Sequence, residues 1–351
     1  MVAVASSACL PPPLVPGMGL TALAPMQDVT NLHFMGVIAH YGNPDYYFTE
    51  YFRVYPTSSL DRHILRSITE NPSGRPVFAQ MIGESIPDLV RAARELSRYP
   101  VAGIDLNMGC PAPKIYRKNV GGGLLRDPAQ IDRILGALRE AVDGLFTVKM
   151  RIGFDSVEHF AAILALINRH NIDLLSLHGR TVKEMYRSHV HYDRIAEAVQ
   201  QVNCPVLANG NVSSAVAAAD VLAQTAAAGV MIGRAAIRNP WIFKQVRQHL
   251  SGQPVDAVTL AEVRDYIDKL RNTMTASIFS ERLRASYLKK YLNFIGQSVD
   301  AAGEFLYCMR RAETEVELLS ICDHFLLSNP HETFALEAYP GLVARPNCET
   351  S

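Results

Sequence analysis

The sequence predicts an α/β fold: a (β/α)8 TIM barrel followed by a small all-helical domain. Two observations carry the barrel. Short apolar runs alternate with longer helical patterns over residues 20–245. The first βα turn, "APMQDVTN", lacks the glycine-rich dinucleotide fingerprint that would favour an open doubly wound sheet. A third observation carries the helical domain: after about Asn239 the alternation stops and helical periodicity alone continues. The 351 residues, 48% of them hydrophobic, suffice for both, since a barrel alone takes ~250.

Residues 1–19 carry three prolines at 11–13 and read as an arm leading into the first strand. Strands are expected at 20–25, 47–51, 76–82, 103–106, 146–150, 173–177, 205–208 and 229–232. Helices fill the intervals. "SIPDLVRAARELSRY" spaces Leu89, Ala93 and Leu96 helically, and Ile86-Pro87 suits a helix start. "DPAQIDRILGALREAV" opens with Asp127 as N-cap and Pro128 in the first turn. "SVEHFAAILALINRH" and "SSAVAAADVLAQT" repeat the form, the latter capped by Ser213 or Ser214. The barrel is expected over 20–245 and a helical bundle over 255–330. Residues 337–351 read as a loose tail.

Composition narrows the function. Lys plus Arg and Asp plus Glu each number 34, so the chain is not polycationic, and a nucleic-acid partner needs a local basic patch. The six cysteines form no C-x-x-C pair and no zinc spacing with histidine, which suits a reducing, cytoplasmic setting and no metal. No run is apolar enough for a membrane span. The N-terminus lacks the basic segment of a secretory signal.

In a barrel the C-terminal strand ends build the site. Here nearly all end in polar groups: Gln27, Glu50, Gln80, Asn107 with Cys110, Lys149 with Arg151, His178 with Arg180, Asn209 with Asn211, and Arg234. Each taken alone has a bland reading, as a satisfied core amide, a helix cap or a lysine reaching solvent. Their shared rim argues against that reading for the set. "ANGNV" and "MIGRA", after strands seven and eight, suit a phosphate. Glycines there expose backbone N–H groups, and Arg234 adds a guanidinium.

Nine motifs then align in one order: "APMQDVTN" at 24–31, "TEYFRV" at 49–54, "FAQMIG" at 78–83, "GIDLNMGCPAPK" at 103–114, "GGGLLRDP" at 121–128, "VKMRIG" at 148–153, "LHGRT" at 177–181, "ANGNV" at 208–212 and "VMIGRA" at 230–235. In these the chain resembles the tRNA-dihydrouridine synthases, flavin-dependent barrels with a C-terminal helical domain. The resemblance implies bound FMN, reduced by NADPH or NADH. It implies Pro25, Met26 and Gln27 around the flavin ring and Gln80 on its pyrimidine-like edge. It implies Lys149 beside the reduced flavin and His178 toward the ribityl–phosphate side. Asn209, Gly210, Asn211, Gly233 and Arg234 would hold the phosphate. Cys110 matches the family's proton donor to uracil C5, and a thiol suits that role, since its reference pKa of ~8.5 keeps it protonated near neutrality. Asn107 would hydrogen-bond the uracil.

The implied partner is tRNA, with its target base flipped out of the stack. Lys114, Arg117 and Lys118 after Cys110, and Arg151 at the next strand end, are candidates to hold RNA. The triple glycine at 121–123 suits close backbone approach or ordering on binding. Arg282, Arg284, Lys289 and Lys290 form a second basic cluster in the helical part. A solvated helix face is the plain reading of that cluster. No partner protein is implied, and a monomer is expected. "HYD" at 191–193, where an Asp-Trp pair is frequent, and the "KIYRKNVGGG" loop depart from the commoner pattern. Both leave the uridine position open, although "TEYFRV" is similar to the branch acting at position 16. Two alternatives are an FMN barrel reducing a free pyrimidine or enone, and a catalytically inactive RNA-binding homologue.

Overall fold

The computed structural model describes residues 9–276 and 278–344. Nine strands form one sheet among the described residues: β1 (Leu20–Leu23), β2 (Tyr46–Phe48), β3 (Phe52–Arg53), β4 (Val77–Ile82), β5 (Gly103–Met108), β6 (Leu145–Arg151), β7 (Leu174–His178), β8 (Val206–Asn209) and β9 (Gly229–Ile232). Their order is β2-β1-β9-β8-β7-β6-β5-β4-β3, and a further β2–β4 pairing closes eight of them into a parallel ring. This is the expected barrel.

The short β3 is the one addition. The strand expected over 47–51 breaks because the Thr49 hydroxyl takes the Gln80 N–H at 3.1 Å. A side chain there replaces the backbone acceptor, and pairing resumes only at Phe52 against Met81. Helix starts follow the sequence signals. Asp127 accepts from the Gln130 N–H at 2.9 Å, with Pro128 next, and Ser214 accepts from Ala217 N at 3.1 Å. The N-terminal arm is anchored over its described part. Tyr46 donates to the Pro11 carbonyl, and Asp45 accepts from Leu14 N and from both Thr21 donors. Residues 1–8 of that arm lie outside the described residues.

The chain forms two compact units: residues 1–32, 44–211 and 220–231 make the first, and 33–43, 212–219 and 232–351 the second. The first holds the barrel core, in which Ala22, Tyr46, Phe48, Phe78, Leu145, Leu174, Leu207 and Met231 pack as one apolar cluster. The second is helical. Its long members are Ile242–Leu250, Leu260–Met274, Glu281–Ile295, Glu304–Arg311 and Glu315–Leu327. A capping box, Thr259 with Glu262, starts Leu260–Met274.

Helix Leu32–Gly42, in the stretch expected to belong to the barrel, packs in the second unit. Tyr41 meets Trp241 and Tyr266 edge-on at 4.7 and 5.4 Å, and Phe34 meets Tyr291 at 5.7 Å. Residues 337–344 of the expected loose tail carry hydrogen bonds. Glu337 accepts from Ser214 Oγ at 2.6 Å, Tyr339 N donates to Gln297 O at 2.8 Å, and Gln297 Nε2 donates to Leu342 O at 2.7 Å. The rest of that tail lies outside the described residues. No helix is long and apolar enough to cross a membrane among the described residues.

Candidate active site

Side chains alternate along a strand, so residues two positions beyond the apolar cluster also face inward. Above Phe78 comes Gln80; above Leu145 come Thr147, Lys149 and Arg151; above Leu174 come Ser176 and His178; above Leu207 comes Asn209. On β5, Gly103 stands beside Leu145 in register, and Asp105 and Asn107 follow it. The barrel floor is therefore apolar and its C-terminal half polar.

These polar groups are joined. Asp105 is fully buried and accepts from Thr147 Oγ1 at 2.6 Å and from Gln80 Nε2 at 2.7 Å. Gln80 Oε1 accepts from Asn107 Nδ2 at 2.8 Å. Asn107 Oδ1 accepts from the backbone N–H groups of Gly109 and Cys110, both at 3.0 Å. A continuous chain of bonds thus runs from β6 through β5 and β4 to the turn that carries Cys110. Lys149 Nζ donates to Asn209 Oδ1 at 3.1 Å, and Asn209 Nδ2 donates to Met231 O at 2.8 Å.

Burial sets the ionisation. It pushes the Asp105 carboxyl up to about 6, against the hydrogen bonds from Thr147 and Gln80 and the charge of Lys149. It brings Lys149 down to about 8, helped by Arg151. Burial also raises the Cys110 thiol, which the Ala112 N–H and the charges of Arg151, Lys149 and Arg53 partly offset. The thiol is therefore protonated at neutral pH.

Two neighbours brace the mouth. Arg151, 2% exposed, donates to Gly109 O at 3.1 Å and to Thr181 O and Met185 O at 2.8 Å each. The triple glycine is the start of a 3-10 helix, Gly121–Arg126, seated against the Cys110 turn. Gly122 N donates to Cys110 O at 3.2 Å, and a Cβ at Gly122 would lie 2.5 Å from Val182 Cγ2. Of the two readings of these glycines, close approach is the one observed.

The first βα turn is held by Glu50, buried at the end of the broken strand. It accepts from Gln27 Nε2 at 3.0 Å and from the backbone of Asp28 and Val29. Met26 N donates to Thr30 Oγ1 at 2.9 Å, and Asp28 sits at φ 62°. Pro25 and Gln27 are half-buried there. Gly210 has φ 122°, and its carbonyl accepts from Tyr192 OH at 2.9 Å; Asn211 follows at φ 49°.

Cys110, Gln80, Asn107, Lys149, Arg151, His178 and Asn209 are thus gathered in one barrel half. Lys114, Arg117 and Lys118 are exposed on and just after the short helix Pro113–Tyr116. In the second unit Gly233 precedes helix Arg234–Arg238, and Arg234 is exposed. Arg282 and Lys290 are exposed too. Arg284 binds Glu315 at 2.7 Å and the carbonyls of Ile278 and Phe279, and Lys289 donates to Arg310 O and Ala312 O. Those two cations therefore brace their own bundle. Among the described residues no group of three His, Cys, Asp or Glu side chains is placed to hold a metal.

Against this geometry, the model of the Dihydrouridine synthase (Dus) family matches residues 22–328, the barrel strands and the helices after them. The chain belongs to the dihydrouridine synthase family. Curated relatives agree in extent. The tRNA-dihydrouridine(16) synthase of Ralstonia nicotianae is 31% identical over 320 residues, 88% of this chain and 97% of the relative. The tRNA-dihydrouridine synthase B of Pseudomonas aeruginosa is 33% identical over 254 residues, 71% of this chain and 76% of its own. That of Xanthomonas campestris pv. campestris is 34% identical over 253 residues, 71% and 76%. For a dihydrouridine synthase family member, sequence reasoning missed Asp105, Thr147 and Ser176. Asp105-Leu106-Asn107 alternates as a strand, and that period is the signal that Asp105 shares Asn107's face.

Proposed function

We propose that this chain is a tRNA-dihydrouridine synthase, reducing the C5–C6 double bond of particular uridines in tRNA. The observation that carries the reading is Cys110: a thiol kept protonated by burial, on a turn anchored by Asn107 and Arg151 at the barrel mouth. Cys110 is the proton donor. Its Sγ holds the proton that goes to C5, and Lys149 and Arg151 ease the thiolate left behind until water returns a proton.

The residues fit a flavin. Gln27 Oε1 and Ser176 Oγ are buried without a hydrogen-bond partner among the described residues, as polar atoms waiting for a ligand are. When bound, FMN reduced by NADPH or NADH supplies the hydride for C6. Pro25, Met26 and Gln27 carry its ring. Gln80 retains a second Nε2 hydrogen for the ring's polar edge, and Asn107 a second Nδ2 hydrogen for the uracil. Lys149 balances negative charge, and His178 serves the ribityl–phosphate side. The phosphate assignments of Asn209, Gly210, Asn211, Gly233 and Arg234 rest on the family. Lys114, Arg117, Lys118, Arg282 and Lys290 are the cations we assign to RNA phosphates. A cytoplasmic setting and a monomer accompany this reading.

The test is Cys110→Ala with unmodified tRNA. Dihydrouridine formation is expected to drop by roughly 10² or more, the usual worth of a positioned acid, while flavin reduction by NADPH persists. Undiminished tRNA reduction removes Cys110 from the chemistry. Equal wild-type activity on free uridine and on tRNA defeats the RNA reading.

A further inference from the structure

The family match ends at residue 328, and the described chain runs on to 344. Nothing in the chemistry above uses that stretch, yet it is bonded along its length within the second unit. Phe334 is fully buried, and its N–H donates to Val258 O at 2.7 Å. Ser298 Oγ donates to Glu337 O at 2.8 Å, and Tyr339 N donates to Gln297 O at 2.8 Å. The stretch is a strap, pinned on both sides of the Glu337 side chain.

That side chain reaches two segments tied to the phosphate assignment. Ser213 and Ser214 follow the Asn209–Asn211 turn in the chain, and Arg238 ends the short helix Arg234–Arg238. Glu337 Oε1 accepts from Ser214 Oγ at 2.6 Å and from Ser213 Oγ at 3.1 Å. Arg238 Nη2 donates to Ser213 O at 2.8 Å and to the strap's Leu336 O at 3.2 Å. Arg238 is only 7% exposed, and its Nε is buried without a hydrogen-bond partner among the described residues. Burial brings its guanidinium down to about 10, with Glu337 opposing and Arg234 assisting, so it is charged at neutral pH. Hydroxyls rotate freely until an acceptor fixes them, and an ionised carboxylate is a strong one. Donors fixed before a ligand arrives bind it more tightly, because less ordering remains to be done.

We propose, resting on the phosphate assignment above, that Glu337 is a positioning residue for the FMN phosphate. It fixes Ser213 and Ser214, and with Leu336 O it ties their segment to the helix that Arg234 begins. Its role is indirect, since a carboxylate set against a phosphate would repel it. The acceptor oxygen therefore matters more than the charge.

The experiment titrates the full-length apoprotein with FMN and with riboflavin, which lacks the phosphate, and follows flavin fluorescence. The proteins are wild type, Glu337→Gln, Glu337→Ala and Arg234→Ala. Glu337→Ala is expected to bind FMN about three- to tenfold more weakly, the usual worth of a lost hydrogen-bonded anchor. Glu337→Gln keeps an acceptor oxygen and is expected within about twofold of wild type. Riboflavin is expected to bind wild type and both Glu337 variants alike. Four results overturn the proposal: Glu337→Ala binding FMN like wild type, Glu337→Ala binding it more tightly, Glu337→Gln as weak as Glu337→Ala, or FMN and riboflavin weakened equally. The last would mark a merely structural strap. Arg234→Ala separates the two levels. If it weakens FMN binding and Glu337→Ala does not, only the role of Glu337 falls. A wild type that binds FMN no more tightly than riboflavin defeats the phosphate assignment beneath it as well.

Discussion

At the scale of single residues, one charge orders the site. An ionised carboxylate only accepts hydrogen bonds, so Asp105 turns the Gln80 amide nitrogen toward itself. Gln80 must then offer its oxygen to Asn107, and Asn107 its oxygen to the Cys110 N–H. Lys149 adds a titration. Burial lowers its pKa to about 8, so its positive charge is present at neutral pH and is lost as pH rises through 8. Turnover on tRNA is expected to fall along a limb near pH 8, and a profile flat to pH 9 would take Lys149's charge out of the rate. Arg234→Ala is expected to purify with less FMN than wild type; full flavin absorbance in that variant refutes the phosphate assignment. Cys110, Lys149 and Gln80 were legible because motif order and strand ends both pointed to them. Asp105 was not, because a mid-strand aspartate shows its partners only once β4 and β6 are set beside β5.

Among the elements, the triple glycine teaches most. As sequence it reads equally as a flexible hinge and as a place of close approach. Its partners, Val182 and Tyr116, come from other parts of the chain, and only the fold decides. A Cβ at Gly122 would lie 2.5 Å from Val182 Cγ2 and 2.9 Å from Cys110 O. Gly122→Ala is therefore expected to destabilise the protein by about 1–3 kcal/mol, the usual cost of overpacking, and to displace Cys110. The observable is a lower unfolding midpoint together with slower dihydrouridine formation. An alanine variant that melts and turns over like wild type refutes the packing argument. The eight barrel strands were readable from their apolar runs, with boundaries off by up to three residues. The interruption between β2 and β3 was not, since it depends on one hydroxyl replacing one carbonyl in the ladder.

For the whole molecule, acidic and basic side chains balance at 34 each, with a pI near 7.2. Little net field steers a polyanion from a distance, so on the proposed function capture of tRNA falls to local cations. The same balance predicts a solubility minimum near pH 7 at low salt, measurable by light scattering between pH 6 and 9; equal solubility across that range counts against it. The alternation of strands and helices made the barrel legible, and its end after about Asn239 made the helical bundle legible. The allegiance of helix Leu32–Gly42 was not, because chain order assigns it to the barrel while packing assigns it to Trp241, Tyr266 and Tyr291.

That allegiance has a consequence in time. Chains emerge from the ribosome N-terminus first, at ~5–20 residues per second. Residues 33–43 are made early, yet their aromatic partners Trp241, Tyr266 and Tyr291 lie beyond position 240, so these residues wait on the order of ten seconds or more at such rates. During that interval Phe34 lacks Tyr291 to pack against, and Tyr41 lacks Trp241 and Tyr266. Translation speed and chaperone occupancy over this early helix therefore bear on the yield of native protein. A cut before Trp241 would make the loss of all three partners permanent.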